Sequence, residues 1–160
     1  YTAIGNEVNL KKNVSIGHHA ILEDGVQVGD GTKISNYATI CKNVVLQESV
    51  TIDSHVIFTE SSTPICIRSK QITIVESGVK ICAAAIIQSG IKIGKGAIID
   101  IRAVVREDVK PFSFMRGNPA VIAGWVSKSG TIMDIENLFC PQERKRYKID
   151  DSGFLSSVEA

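Results

Sequence analysis

His19, Tyr37 and His55 stand eighteen residues apart, and so do His18, Asn36 and Ser54, one position earlier. Imidazole changes charge near neutrality, so a histidine can serve as a general base. An asparagine amide can orient a substrate amine or donate to an oxyanion. The hydroxyls of Ser54 and Tyr37 can bind a polar ligand. These residue types also have a purely structural use. Asparagine tolerates a left-handed backbone at a corner, and His55 can stack on Tyr37. Either use needs a fold that brings residues eighteen apart to one place.

The repeat supplies that fold. A large apolar residue recurs every six positions, at Ile4, Leu10, Ile16, Leu22, Val28, Ile34, Ile40, Leu46, Ile52 and Phe58. The series resumes at Val75, Ile81, Ile87, Ile93, Ile99 and Val105. A small or β-branched residue follows four places after most of them, as at Val8, Ala20 and Ala38. Period six fits neither an amphipathic helix nor simple strand alternation. It marks a β-solenoid in which each hexad is one short strand and a turn. A strand this short cannot bury a face alone. Three of them set as a prism point their apolar side chains inward, and the next coil pairs with their backbone groups. Three hexads per coil stack residues eighteen apart.

Residues 1–109 read as the solenoid, with an excursion over 59–74 that Ser, Thr and Pro residues open as an extruded loop. Residues 110–160 read as an exit segment and capping tail. Pro111 and Pro119 cannot donate to a ladder, so the coil is expected to end there. Phe139, Tyr147 and Phe154 are available to pack the tail over the open end. The repeat is already running at Ile4, which points to further chain upstream. The formal net charge is +1, which gives no electrostatic case for nucleic acid. No apolar run approaches the roughly 20 residues that span a bilayer, and no secretory signal pattern is present. Cys41, Cys66, Cys82 and Cys140 show no CxxC or zinc-like spacing, so no metal is expected. Reduced thiols fit a cytoplasmic location.

The hexads resemble those of the left-handed β-helix acyltransferases, the hexapeptide-repeat transferases, over residues 3–125. DVKPFSFMRGNPA (108–120) is similar to the segment where those chains leave the helix. KISNYATI (33–40), VIFTE (56–60), GNPAVIAGWVSKSG (117–130) and LFCP (138–141) resemble one branch of that family. Its members N-acetylate UDP-linked 2-acetamido-3-amino-2,3-dideoxy-glucuronate for bacterial surface polysaccharide. The resemblance implies an all-β, left-handed parallel β-helix, a homotrimer, acetyl-CoA as donor and a nucleotide-sugar acceptor. It also implies active sites between subunits. Some positions depart from the family pattern. Glu60 stands where the family has Asn, Ile65 where it has Arg, and Val121 where it has a basic residue. Cys82, Asp100 and Arg102 replace glycines.

Asn36 matches the family's Asn and is expected to be catalytic on that resemblance, while His55, where the related enzymes carry no His, and Glu60 are candidate catalytic bases from their own chemistry, with Tyr37, Ser54 and Thr59 binding substrate. Ala83 and Ala84 give a corner with little bulk for the CoA arm, and Arg102 and Arg116 are the cations nearest the CoA region. A carboxylate at Glu60 would attract an ammonium, take its proton and repel an acidic sugar. Two other readings stand beside the N-acetyltransferase. One is a catalytically silent trimeric scaffold or binding module, argued from Asp100 and Arg102 at a corner. The other is an O-acetyltransferase, which would need His55 as a stronger base.

Overall fold

The computed structural model describes residues 1–60, 72–151 and 153–157. Every regular element among them is a strand, and the strands stack into an all-β parallel solenoid with three faces. Face 1 holds Ala3–Ile4, Ile21–Leu22, Thr39–Ile40, Ile57–Phe58, Ile86–Ile87 and Val104–Val105. Face 2 holds Asn9–Leu10, Gln27–Val28, Val44–Leu46, Thr73–Val75 and Lys92–Ile93. Face 3 begins with Ser15–Ile16, Lys33–Ile34, Thr51–Ile52, Lys80–Ile81 and Ile98–Ile99. Ile4 lies opposite Leu22 and Leu22 opposite Ile40, so the coil is eighteen residues long.

Across the excursion the offset becomes twenty-nine: Phe58 lies opposite Ile87, and Leu46 opposite Val75. Stacked partners are therefore eleven residues further apart in sequence here, and part of the 59–74 range expected as an excursion belongs to the coil. Thr73–Val75 is already a strand of face 2, because Thr73 pairs with Val44. The N–H of Thr59 still bonds the carbonyl of Ile87 at 2.9 Å. The remainder of the expected excursion, 61–71, lies outside the described residues.

The hexad works by burial. Ile40, Ile52, Ile81, Ile87, Ile93 and Ile99 are fully shielded, and so are Ala20, Ala38, Ala85, Ala97 and Ala103 at the four-later site. Each large aliphatic contributes about 1.5–3 kcal/mol over its exposed state. The corners turn through left-handed backbone: Glu7, His19, Tyr37, His55, Ala84 and Arg102 have φ between 56° and 62°. Such φ values cost a non-glycine residue roughly 1–2 kcal/mol. The backbone ladder offsets this, since every corner N–H on this edge finds a carbonyl one coil below. Tyr37 donates to His18, His55 to Asn36, Ala84 to Ser54 and Arg102 to Ala83, at 3.0–3.1 Å.

The parallel stacking continues past residue 109. Val109 bridges Ile93, Pro111 lies in a turn, and Ser113–Gly117 joins face 3 in parallel with Phe114 opposite Ile98. The chain then reverses through the Asn118–Pro119 turn into Ala120–Val126 and Ile132–Met133, both antiparallel. The tail builds its own antiparallel sheet from Phe139–Cys140, Lys145–Ile149 and Leu155–Ser157. Trp125, Met133, Cys140 and Tyr147 form its buried core, which meets the main core at Ile122. The three tail aromatics do not close over the coil together. Tyr147 is buried, Phe139 lies against the Arg146 guanidinium at 5.8 Å, and Phe154 is 42% exposed.

Candidate functional site

The sequence-predicted residues fall on two edges of face 1. The edge by which the chain enters face 1 carries Asn36, Tyr37, Ser54 and His55, with Ala83, Ala84 and Arg102 above them. His19, Tyr37 and His55 form a ring ladder with centroids 5.0 and 4.9 Å apart and planes 11° and 1° from parallel. The shared left-handed corner sends all three side chains the same way, so the coil spacing becomes the stacking distance. Tyr37 is half exposed.

Asn36 has a second employment. Its Oδ1 accepts the N–H of His18 at 2.8 Å, as the carboxylates of Asp24 and Asp30 accept from Asn6 and Lys12 at 2.6 and 2.8 Å. One coil thus carries an Asx cap at each of its three corners. The amide oxygen of Asn36 is committed, and its Nδ2 remains the group able to meet a ligand.

Thr59 and Glu60 sit at the opposite edge, where the chain leaves face 1. Five residues of nearly extended chain separate Glu60 from His55, roughly 15 Å. Within one chain these two do not converge. Glu60 pairs with Lys42 Nζ at 2.8 Å, with both side chains about half exposed. Beside the pair, Cys41 donates its thiol to the carbonyl of Phe58 at 2.7 Å. Burial, helped by the charges of Glu23 and Glu60, pushes that thiol up to about 11, so Cys41 stays protonated and unreactive. Higher on this edge, Gln88, Arg106 and Lys110 line a cleft of about 680 Å³ floored by Val105, Met115 and Ile122.

Among the upper coils, Ala83 and Ala84 present a corner of little bulk. Asp100 is turned into an ion pair: Arg116 Nε donates to its Oδ2 at 2.7 Å, and that guanidinium also lies 5.0 Å from the Phe114 ring. Arg116 is therefore largely neutralised. The Arg102 side chain is exposed, and its guanidinium has no hydrogen bond or ion pair among the described residues.

Lys42, Asp24 and Asp30 were not singled out from the sequence. The signal for Lys42 was present, because it stands eighteen residues before Glu60. Among the described residues no group of His, Cys, Asp and Glu side chains could hold a metal ion, and no helix is long and apolar enough to cross a membrane.

A prism of stacked hexads with left-handed backbone at its corners has the fold of the hexapeptide-repeat acetyltransferases. No family model matches the chain, and no curated protein matches it. Solved structures do. One is a mutant of AntD, an N-acyltransferase from Bacillus cereus in complex with dTDP and coenzyme A. It aligns with a TM-score of 0.71 at 19% identity, over 80% of this chain and 79% of that one. A hexapeptide-repeat acetyltransferase from Vibrio cholerae in complex with acetyl-CoA aligns at 0.58 and 20%, over 71% and 72%. The polySia-specific acetyltransferase NeuO aligns at 0.60 and 28%, over 72% of this chain and 59% of that longer one.

Proposed function

We propose that this chain is an acetyl-CoA-dependent N-acetyltransferase acting on an amino-sugar nucleotide for bacterial surface polysaccharide. In this reading it works as a cytoplasmic homotrimer of left-handed coils. The observation that carries the reading is the match, over four fifths of both chains, to an N-acyltransferase crystallised with coenzyme A and dTDP.

The substrate amine attacks the thioester carbonyl, the C–S bond breaks, and CoA leaves as a thiolate that needs no strong acid. Asn36 supports the oxyanion through Nδ2, since its oxygen already holds the His18 N–H. Ala83 and Ala84 admit the CoA arm. Arg102 is the cation free for phosphate, and Arg116 orients Asp100. Tyr37, Ser54 and Thr59 contact the sugar. The proton from the attacking nitrogen goes to His55 or Glu60. Glu60 favours an amino sugar without a carboxylate.

In this reading the two edges of face 1 meet across a subunit boundary. A three-fold arrangement with face 1 towards the axis sets the His55 edge of one copy against the Glu60 edge of the next. Calorimetry with acetyl-CoA tests the donor, and amine-dependent thiol release with a panel of amino-sugar nucleotides tests the transfer. Micromolar binding and nucleotide-dependent release are expected. Absence of acetyl-CoA binding would remove the transferase and leave the trimeric scaffold.

A further inference from the structure

The ring ladder at the entry edge stops one coil short of a cation. His19, Tyr37 and His55 are followed in the same column by Ala84 and then Arg102, in register through the N–H of Ala84 to Ser54 and of Arg102 to Ala83, both at 3.0 Å. All five have φ between 57° and 62°, so their side chains leave the backbone in one direction. Where three neighbours carry rings, Ala84 ends at Cβ. Among the described residues no ring lies on the upper face of His55. The space above it runs about 10 Å, two coil rises, to the level of Arg102. That height holds one planar ring with both faces covered.

The geometry points to a nucleobase slot: a base stacks on His55 above Ala84, with the Arg102 guanidinium over its other face and within reach of its phosphates. Stacking on an aromatic face tolerates any base, and guanidinium stacks on rings as well as pairing with phosphate. The ladder sets the spacing for a fourth ring, and the unpaired cation selects a ring that carries anionic charge. A neutral hydrocarbon ring would leave Arg102 without a partner. The slot rests on the proposed function for the source of its ligand, and within that function it makes His55 a binding ring and leaves Glu60 to receive the proton of the attacking nitrogen. Two sources share this chemistry, the nucleotide of the acceptor sugar and the adenosine phosphate end of CoA.

The test uses the whole protein with uridine diphosphate, thymidine diphosphate and adenosine 3′,5′-bisphosphate as probes, followed by calorimetry and by the ring-proton resonances of His55. Ala84→His adds a fourth ring at a backbone angle that His19 and His55 already adopt, so the fold is retained. Arg102→Ala removes the cation. At least one probe is expected to shift the His55 resonances and to bind about tenfold more weakly in each variant. Sensitivity of the diphosphates assigns the slot to the acceptor, and sensitivity of the bisphosphate assigns it to the donor. If no probe moves His55, or if Ala84→His leaves all three affinities unchanged, the slot is wrong, even where acetyl transfer is observed. Slot binding without any acetyl transfer would instead retain the slot and sink the transferase. Should Ala84→His fail to fold, Arg102→Ala and the His55 shifts decide alone.

Discussion

Asn36 illustrates why a corner residue resists a single label. Its oxygen caps the coil below, as Asp24 and Asp30 do at the other two corners, and its Nδ2, on an exposed residue, has no partner among the described residues. The two duties separate by substitution. Asn36→Asp keeps the acceptor and loses the donor, so the melting temperature should hold while kcat falls about a hundredfold. Asn36→Ala loses both, and stability should drop by about 1 kcal/mol as well. Thermal melts with initial rates distinguish the cases, and an Asp variant of full activity would leave Asn36 as a cap alone. The column arithmetic of the sequence already placed Asn36, Tyr37, Ser54 and His55 on one edge. It could not show that the Asn36 oxygen was taken, because the donor is a backbone N–H one coil away. The Lys42–Glu60 pair was equally within reach of that arithmetic. Being exposed and screened by solvent, it adds little, so Glu60→Gln should leave stability nearly unchanged and raise KM for the amine.

Strands of two or three residues are defined by their stacking partners, and this governs both legibility and energetics. The hexad was readable because its large inward position is apolar in every coil, whereas the four-later site admits Thr32, buried with its hydroxyl bonded to the Gln47 carbonyl. Ile52 is fully buried and central, so Ile52→Ala should cost about 2–5 kcal/mol. Ile4 has the same hexad position but is 51% exposed at the first coil, and Ile4→Ala should cost far less. Chemical denaturation of the two variants checks the gradient. The tail beyond Val126 has no period, so its sheet and its Trp125–Tyr147 core were not legible. Its stability is tied to Glu143, whose carboxylate accepts from Tyr147 Oη at 2.5 Å and from the Ser129 N–H at 2.6 Å. The Tyr147 hydrogen bond leads in lowering the Glu143 pKa from the usual 4.5 to about 2. A depressed folded value means the contribution is complete above pH 4.5 and is lost as pH falls through 2. Trp125 is the only tryptophan and sits in that core, so its fluorescence should report tail loosening over this acid range. Tyr147→Phe should move the loosening to higher pH.

At the scale of the whole molecule, the three faces differ in what they show to solvent. Outward positions on face 1 read Ala3, Ile21, Thr39, Ile57, Ile86 and Val104. Those on face 2 read Asn9, Gln27, Val45, Ile74 and Lys92, and those on face 3 begin Ser15, Lys33, Thr51, Lys80 and Ile98, so both are mixed and carry charge where face 1 carries none. Ile21 and Ile57 are each 43% exposed in the single chain, on the face flanked by both candidate edges. An uncharged face of this kind, apolar except at Thr39, is suited to association. If three copies turn it towards a common axis, a charge at its centre should be intolerable, and Ile57→Lys should yield folded monomers by light scattering. In the proposed trimer the same packing makes the proposed catalytic set a shared one, with Asn36 and His55 from one copy and Glu60 from its neighbour. Asn36→Asp and Glu60→Ala trimers, each impaired alone, should therefore recover activity when unfolded together and reassembled. In a random mixture about a quarter of the boundaries unite an intact Asn36 edge with an intact Glu60 edge. Recovery towards that fraction places the chemistry between subunits. No recovery, with mixed trimers demonstrated, would confine it to one edge of one chain and remove Glu60 from the reaction.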